Sequence, residues 1–96
     1  MEPRKTARYA LEPGQLGLGD SGSLSELVRQ GIEDGVSDFE FDFSGLSSLN
    51  SAGIGILIGC RKAILAKDGV LRLSNVNDKI KEIFRLTKID GLFEIS

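Results

Sequence analysis

The segment Leu49-Asn50-Ser51-Ala52-Gly53-Ile54-Gly55-Ile56-Leu57 holds the residues whose types and spacing can do chemistry. A serine stands after an asparagine and before small and apolar residues. The first turn of a helix presents free N–H groups and a partial positive charge, and so stabilises an anion. A serine placed there is exposed and can carry a phosphate. Asn50 or Ser51 can also cap the helix, and on local residues alone plain capping is the simpler reading. Two other chemistries fail on spacing. Gly53-Ile54-Gly55 lacks the third glycine of a dinucleotide fingerprint and the Gly-Lys-Ser/Thr ending of a phosphate-binding loop. Ser51 does not lie within Gly-x-Ser-x-Gly, and the chain has no histidine to activate it.

The composition narrows the classes further. The chain has 96 residues, the size of one domain, read as 1–96 with residues 1–8 loosely ordered. Lys and Arg number 12 against 14 Asp and Glu, so the net charge is −2 and nucleic acid is not the expected partner. Without histidine the usual general base is missing and a zinc site has few ligands, so neither catalytic residues nor a metal nor a cofactor are expected. No paired-carboxylate constellation revives an enzyme. Cys60, the single cysteine, reads as a buried small hydrophobe. No apolar run reaches membrane-spanning length, and the start of the chain has no signal-peptide core, so a cytoplasmic protein with no membrane insertion is expected.

The elements that must position Ser51 follow from periodicity. Tyr9-Ala10-Leu11 opens a strand, Pro13-Gly14 is a turn, and Gln15 to Leu18 returns as a second strand. Ser23-Leu24-Ser25-Glu26 fits a capping box ahead of a helix whose apolar face is Leu24, Leu27, Val28, Gly31 and Ile32, with Gly35 as its stop. Asp38 to Phe43 alternates acids with three phenylalanines, the pattern of a strand with one buried face. Ser51 to Lys67 reads as a helix buried on most sides, with Gly53, Gly55 and Gly59 letting another backbone approach, and Asp68-Gly69 closes it. Val70 to Ser74 is a strand, and Asn77 caps a helix with Ile80, Ile83, Phe84 and Thr87 facing inward. Leu92 to Ile95 is a last strand after Gly91. Strands alternating with helices make an α/β fold on a mostly parallel sheet, with Asp38–Phe43 and Val70–Ser74 as neighbouring central strands.

The stretch Phe39 to Leu57, with Asn50 to Gly55 at its core, resembles the STAS domains of anti-sigma factor antagonists. The tail Ile83-Phe84-Arg85-Leu86-Thr87-Lys88-Ile89-Asp90-Gly91-Leu92-Phe93-Glu94-Ile95 resembles the family's ending, and Asp68-Gly69 followed by Val70 to Val76 fits too. The likeness runs from about Leu16 to Ile95.

That resemblance implies a four- to five-stranded mixed, mostly parallel sheet with helices mainly on one face. It implies a phosphoprotein that takes part in partner switching, signalling and transcription regulation. The family's phosphorylated serine matches Ser51, and its acidic residue before the first helix matches Asp20. Asp20, Asn50, Ser51, Ala52, Gly53 and Ile54 are then the expected partner-binding residues, gathered at one end of the sheet. The implied partners are an anti-sigma factor that is also a serine kinase of the histidine-kinase-like ATPase type, and a phosphatase. Where the family commonly has Asp-Ser-Ser-Gly, this chain has Asn50-Ser51-Ala52-Gly53, which removes a charge beside the switch. The sequence stops at Ser96, short of the family's usual last helix, and apolar surface left exposed there points to a homodimer. The alternative reading is a constitutive STAS accessory subunit of a membrane lipid-transport ATPase, which Asn50 suits because no kinase need read the site.

Overall fold

The computed structural model describes residues 5–12 and 21–95. Strand β1 (Lys5–Ala10) leads to helix α1 (Ser21–Glu33), then β2 (Val36–Asp42), α2 (Ser51–Leu65), β3 (Val70–Ser74), α3 (Asp78–Leu86), a 3-10 turn (Asp90–Leu92) and β4 (Glu94–Ile95). The sheet order is β1-β2-β3-β4, and every pairing is parallel. The expected neighbours are neighbours: Asp38 pairs with Val70 and Asp42 with Ser74.

Period-two alternation decides which face is covered. Phe39, Phe41 and Phe43 point to one side of β2, where each is at most 1% exposed, and Leu71 and Leu73 join them from β3. All three helices supply side chains to that core: Leu24 and Val28 from α1, Leu57, Cys60 and Ile64 from α2, Ile80 and Phe84 from α3. The Phe84 ring meets Phe43 edge-on at 6.4 Å and stacks on Phe93 at 5.7 Å. The opposite face carries Thr6, Arg8, Ala10, Asp38, Glu40, Asp42, Val70, Arg72, Ser74 and Glu94, and no described element packs on it.

Several boundaries differ from the sequence reading. Strand β1 starts at Lys5, so residues 5–8 are paired strand and not a loose end. Its outward face is exposed, and a wet edge strand has no apolar alternation to announce it. The returning strand at Gln15–Leu18 lies outside the described residues. Helix α1 begins at Ser21, which puts Ser23 inside the first turn and not at the cap of a capping box. Thr87 caps the end of α3, its hydroxyl donating to Ile83 O at 2.7 Å, and is exposed instead of inward-facing. The 3-10 turn takes up Leu92, leaving two residues for β4.

Helix α2 is the larger correction. It buries Gly53, Leu57, Cys60 and Ile64 on one side, whereas Ser51, Gly55, Gly59, Lys62 and Ala63 are exposed. Among the described residues, a Cβ built on Gly55 or Gly59 meets nothing within 4 Å, so no described backbone approaches them. Glycine adds little polarity to a window, so the run reads as buried although Gly55 and Gly59 have no side chain to bury and Ser51, Lys62 and Ala63 face solvent. No helix among the described residues is long and apolar enough to cross a membrane.

Candidate functional site

The site is a junction, not a cavity. Strand β2 ends at Asp42, residues 43–50 form a loop, and Ser51 opens α2. Leu46 and Leu49 are buried and tether the loop to the core. Leu46 N donates to Phe43 O at 3.0 Å, and Asn77 Nδ2 donates to Leu46 O at 3.1 Å. Asn77 also caps α3, its Oδ1 accepting from Ile80 N at 2.8 Å. One side chain thus fixes both the loop under Ser51 and the start of α3.

Asp42 fixes the other end of the loop. Its Oδ1 accepts from Ser44 N at 3.0 Å and from Asn75 Nδ2 at 2.9 Å, and its Oδ2 accepts from Arg8 Nη2 at 3.1 Å. These donors, the Asn75 amide first, hold its carboxyl down at about 2, against an ordinary value of 3.8. Asn75 has φ 54, a left-handed backbone that asparagine tolerates. By alternation alone Asp42 is one more acid on a wet strand face. The signal available was Asp42-Phe43-Ser44, an acid positioned to bond the N–H two residues on and start a turn.

The cap of α2 is Asn50. Its backbone is extended (φ −105, ψ 177), its Oδ1 accepts from Gly53 N at 2.8 Å, and its carbonyl accepts from Ile54 N at 3.0 Å. Ser51 is exposed at the first helical position and is not needed for capping. Ala52 and Ile54 are half-buried beside it. Gly53 is buried with its N–H taken, so it shapes the turn without offering surface. Asp20 lies outside the described residues, and so does its expected place beside Ser51.

The rest of the chemistry lies elsewhere. Burial raises the Cys60 thiol pKa, as befits an unreactive core residue. A groove of about 290 Å³ lies between the end of α2 and β4, lined by Arg61, Leu65, Leu92 and Phe93 among others, away from Ser51. Among the described residues no three His, Cys, Asp or Glu side chains gather to hold a metal ion.

Fold and site together define a small parallel α/β domain whose distinctive surface is a capped helix start with a spare serine. The chain belongs to the STAS domain family, whose family model matches residues 13–96. It is 26% identical over 83 residues to the anti-sigma-B factor antagonist of Staphylococcus aureus (strain NCTC 8325 / PS 47), covering 86% of this chain and 77% of that one. The protein of the same name from Staphylococcus epidermidis is 24% identical over the same shares. Solved structures share the fold. The NMR structure of protein TM1081 has a TM-score of 0.84 at 18% identity, covering 95% of this chain and 73% of that one. SpoIIAA in its unphosphorylated form has a TM-score of 0.77 at 18% identity, covering 100% and 84%.

Proposed function

We propose that this protein is an anti-sigma factor antagonist, a binding switch thrown by phosphorylation of Ser51. The observation that carries the reading is the division of labour at the start of α2. Asn50 does the capping, and Ser51 is left exposed with its hydroxyl spare. The same junction offers a partner Ala52, Ile54 and the bare backbone of Gly55 and Gly59, where no described residue stands in the way.

A phosphate on Ser51 adds about −1.5 to −2 charges. The helix dipole favours an anion at this end, so the free protein keeps its fold. The likeness of this chain to SpoIIAA in both the unphosphorylated form (TM-score 0.77) and the phosphorylated form (0.72) supports a fold that carries the charge without rearranging. The cost falls on the complex, where a packed partner must desolvate the dianion. The unphosphorylated form binds the anti-sigma factor, the phosphorylated form releases it, and a phosphatase resets the cycle in the cytoplasm. The names of the Staphylococcus relatives support this assignment of partner.

Affinity purification followed by titration calorimetry tests the reading. Capture of a histidine-kinase-like ATPase whose affinity falls when Ser51 is phosphorylated is the expected result. Capture of a transporter ATPase, with equal affinity for both forms, overturns it in favour of the constitutive subunit, which the neutral Asn50 also suits.

A further inference from the structure

The face of the sheet away from the helices carries a row of alternating charge. Register places Arg8 beside Glu40, Glu40 beside Arg72, and Arg72 beside Glu94, one residue from each strand. The signs along the row are plus, minus, plus, minus. Within the chain Arg8 Nε bonds Glu40 Oε2 at 2.9 Å, yet the Arg8 side chain stays 57% exposed. Arg72 and Glu94 are exposed as well.

Over its full width this row is its own complement about one two-fold axis. A two-fold axis parallel to the strands, passing between β2 and β3, brings two copies face to face. It sets Arg8 against Glu94 and Glu40 against Arg72, each pair occurring twice. A two-fold axis across the strands would instead set each residue of the row against its own copy, plus on plus and minus on minus. Twisted sheets packed face to face keep their strand directions within about 30°, which the reach of arginine and glutamate side chains spans. Among the described residues no element covers this open face, and the row's charges match a reversed copy of themselves, so a second copy is the natural occupant of that face.

We infer that this protein self-associates through its open sheet face into a two-fold dimer held by reciprocal Arg8–Glu94 and Glu40–Arg72 pairs. The helix side, with Ser51 on α2, stays free on both outer surfaces, so each dimer presents two copies of the proposed switch. The association is weak and electrostatic, because exposed ion pairs compete with water and salt.

Sedimentation of the purified chain tests it. The wild-type dimer should loosen at least about tenfold between about 0.05 M and 0.5 M salt. Glu40→Arg alone places two plus-on-plus contacts at the centre of the interface, and Arg72→Glu alone places two minus-on-minus contacts, so each variant should be monomeric. Mixed in equal amounts, the two variants restore opposite charges at every position, and a heterodimer should form. A wild type that stays monomeric at millimolar concentration in low salt overturns the inference. So does a dimer indifferent to salt, or a mixture no more associated than its components. If either variant fails to fold by circular dichroism, NMR shifts of the wild type on dilution decide. Shifts at Arg8, Glu40, Arg72 and Glu94 support the interface, and their absence there overturns it.

Discussion

The side-chain amide of Asn75 donates to Asp42 Oδ1 across 2.9 Å, tying the loop after β3 to the end of β2. With the Ser44 N–H and Arg8 it holds the carboxylate at about 2, below its ordinary 3.8. A carboxyl depressed in the folded state contributes stability that is complete above the unfolded value and is lost as pH falls through the folded one. The Asp42 contribution should therefore be full above pH 3.8 and disappear on approach to pH 2. Asp42→Asn should remove that part of the acid limb in denaturant melts taken across the window. Asn75→Asp, which keeps the left-handed backbone but replaces a donor by an acid, should raise the Asp42 midpoint in a carboxyl NMR titration.

Leu57 lies on the buried side of α2 with none of its surface exposed. Leu57→Ala should lower stability by about 2–5 kcal/mol, the transfer and cavity cost of a buried leucine. A loss under about 0.5 kcal/mol would show that the core closes over the gap.

Gly69 sits where α2 hands over to β3. A Cβ there would lie 2.7 Å from Ser37 O and 2.7 Å from Ile64 Cγ2. Backbone oxygen cannot swing aside as a flexible side chain can. Gly69→Ala should therefore cost about 1–3 kcal/mol in urea melts, as overpacking does. Gly55→Ala, built into open space, should leave stability unchanged or slightly improved, since alanine is the better helix former.

At the proposed switch, Ser51→Asp should weaken binding to the anti-sigma partner while the melting temperature holds. Ser51→Ala should bind like the unphosphorylated wild type under conditions where the kinase is active. A hundredfold difference in affinity corresponds to about 2.8 kcal/mol, within the cost of desolvating an unpaired charge. Gly55→Leu fills the bare turn next to Ser51 and should block the partner sterically with the fold intact. Calorimetry of the four proteins against one partner reads all these outcomes.

The readable parts of this sequence are those where one physical rule acts alone. Phe39, Phe41 and Phe43 alternate with acids and form β2. Asn77 precedes an apolar helical period and caps α3, and Asn50-Ser51 marks the start of α2. The unreadable parts are those where two rules oppose. Residues 5–8 are strand although polar, because the neighbouring strand supplies their hydrogen bonds and solvent takes their outer face. Asp42 looks like a wet acid by alternation, yet it is 8% exposed because Arg8 of β1, Asn75 of the loop after β3 and the N–H of Ser44 in the following loop close over it. Asn50 and Ser51 are equally good caps by residue type, and the extended backbone of Asn50 with its side chain accepting from Gly53 N makes Asn50 the cap.

The described strands lie in space in the order in which they occur along the chain. A sheet wound in one direction by right-handed crossovers has all its helices on one side. It also never reverses its strand order, and reversal is what splays two loops apart and opens the crevice in which doubly wound proteins hold nucleotides and other small ligands. The described loops after β2 and β3 leave neighbouring strands side by side and form a continuous rim, with Ser51 on its crest. Such a rim has the shape to meet the surface of another macromolecule, and its recognition is then governed by area and charge, not by enclosure. Growth from one end has a second consequence. Each described strand emerging from the ribosome finds its neighbour already in place, so these strands can pair in the order of synthesis, with Glu94–Ile95 joining after Val70–Ser74.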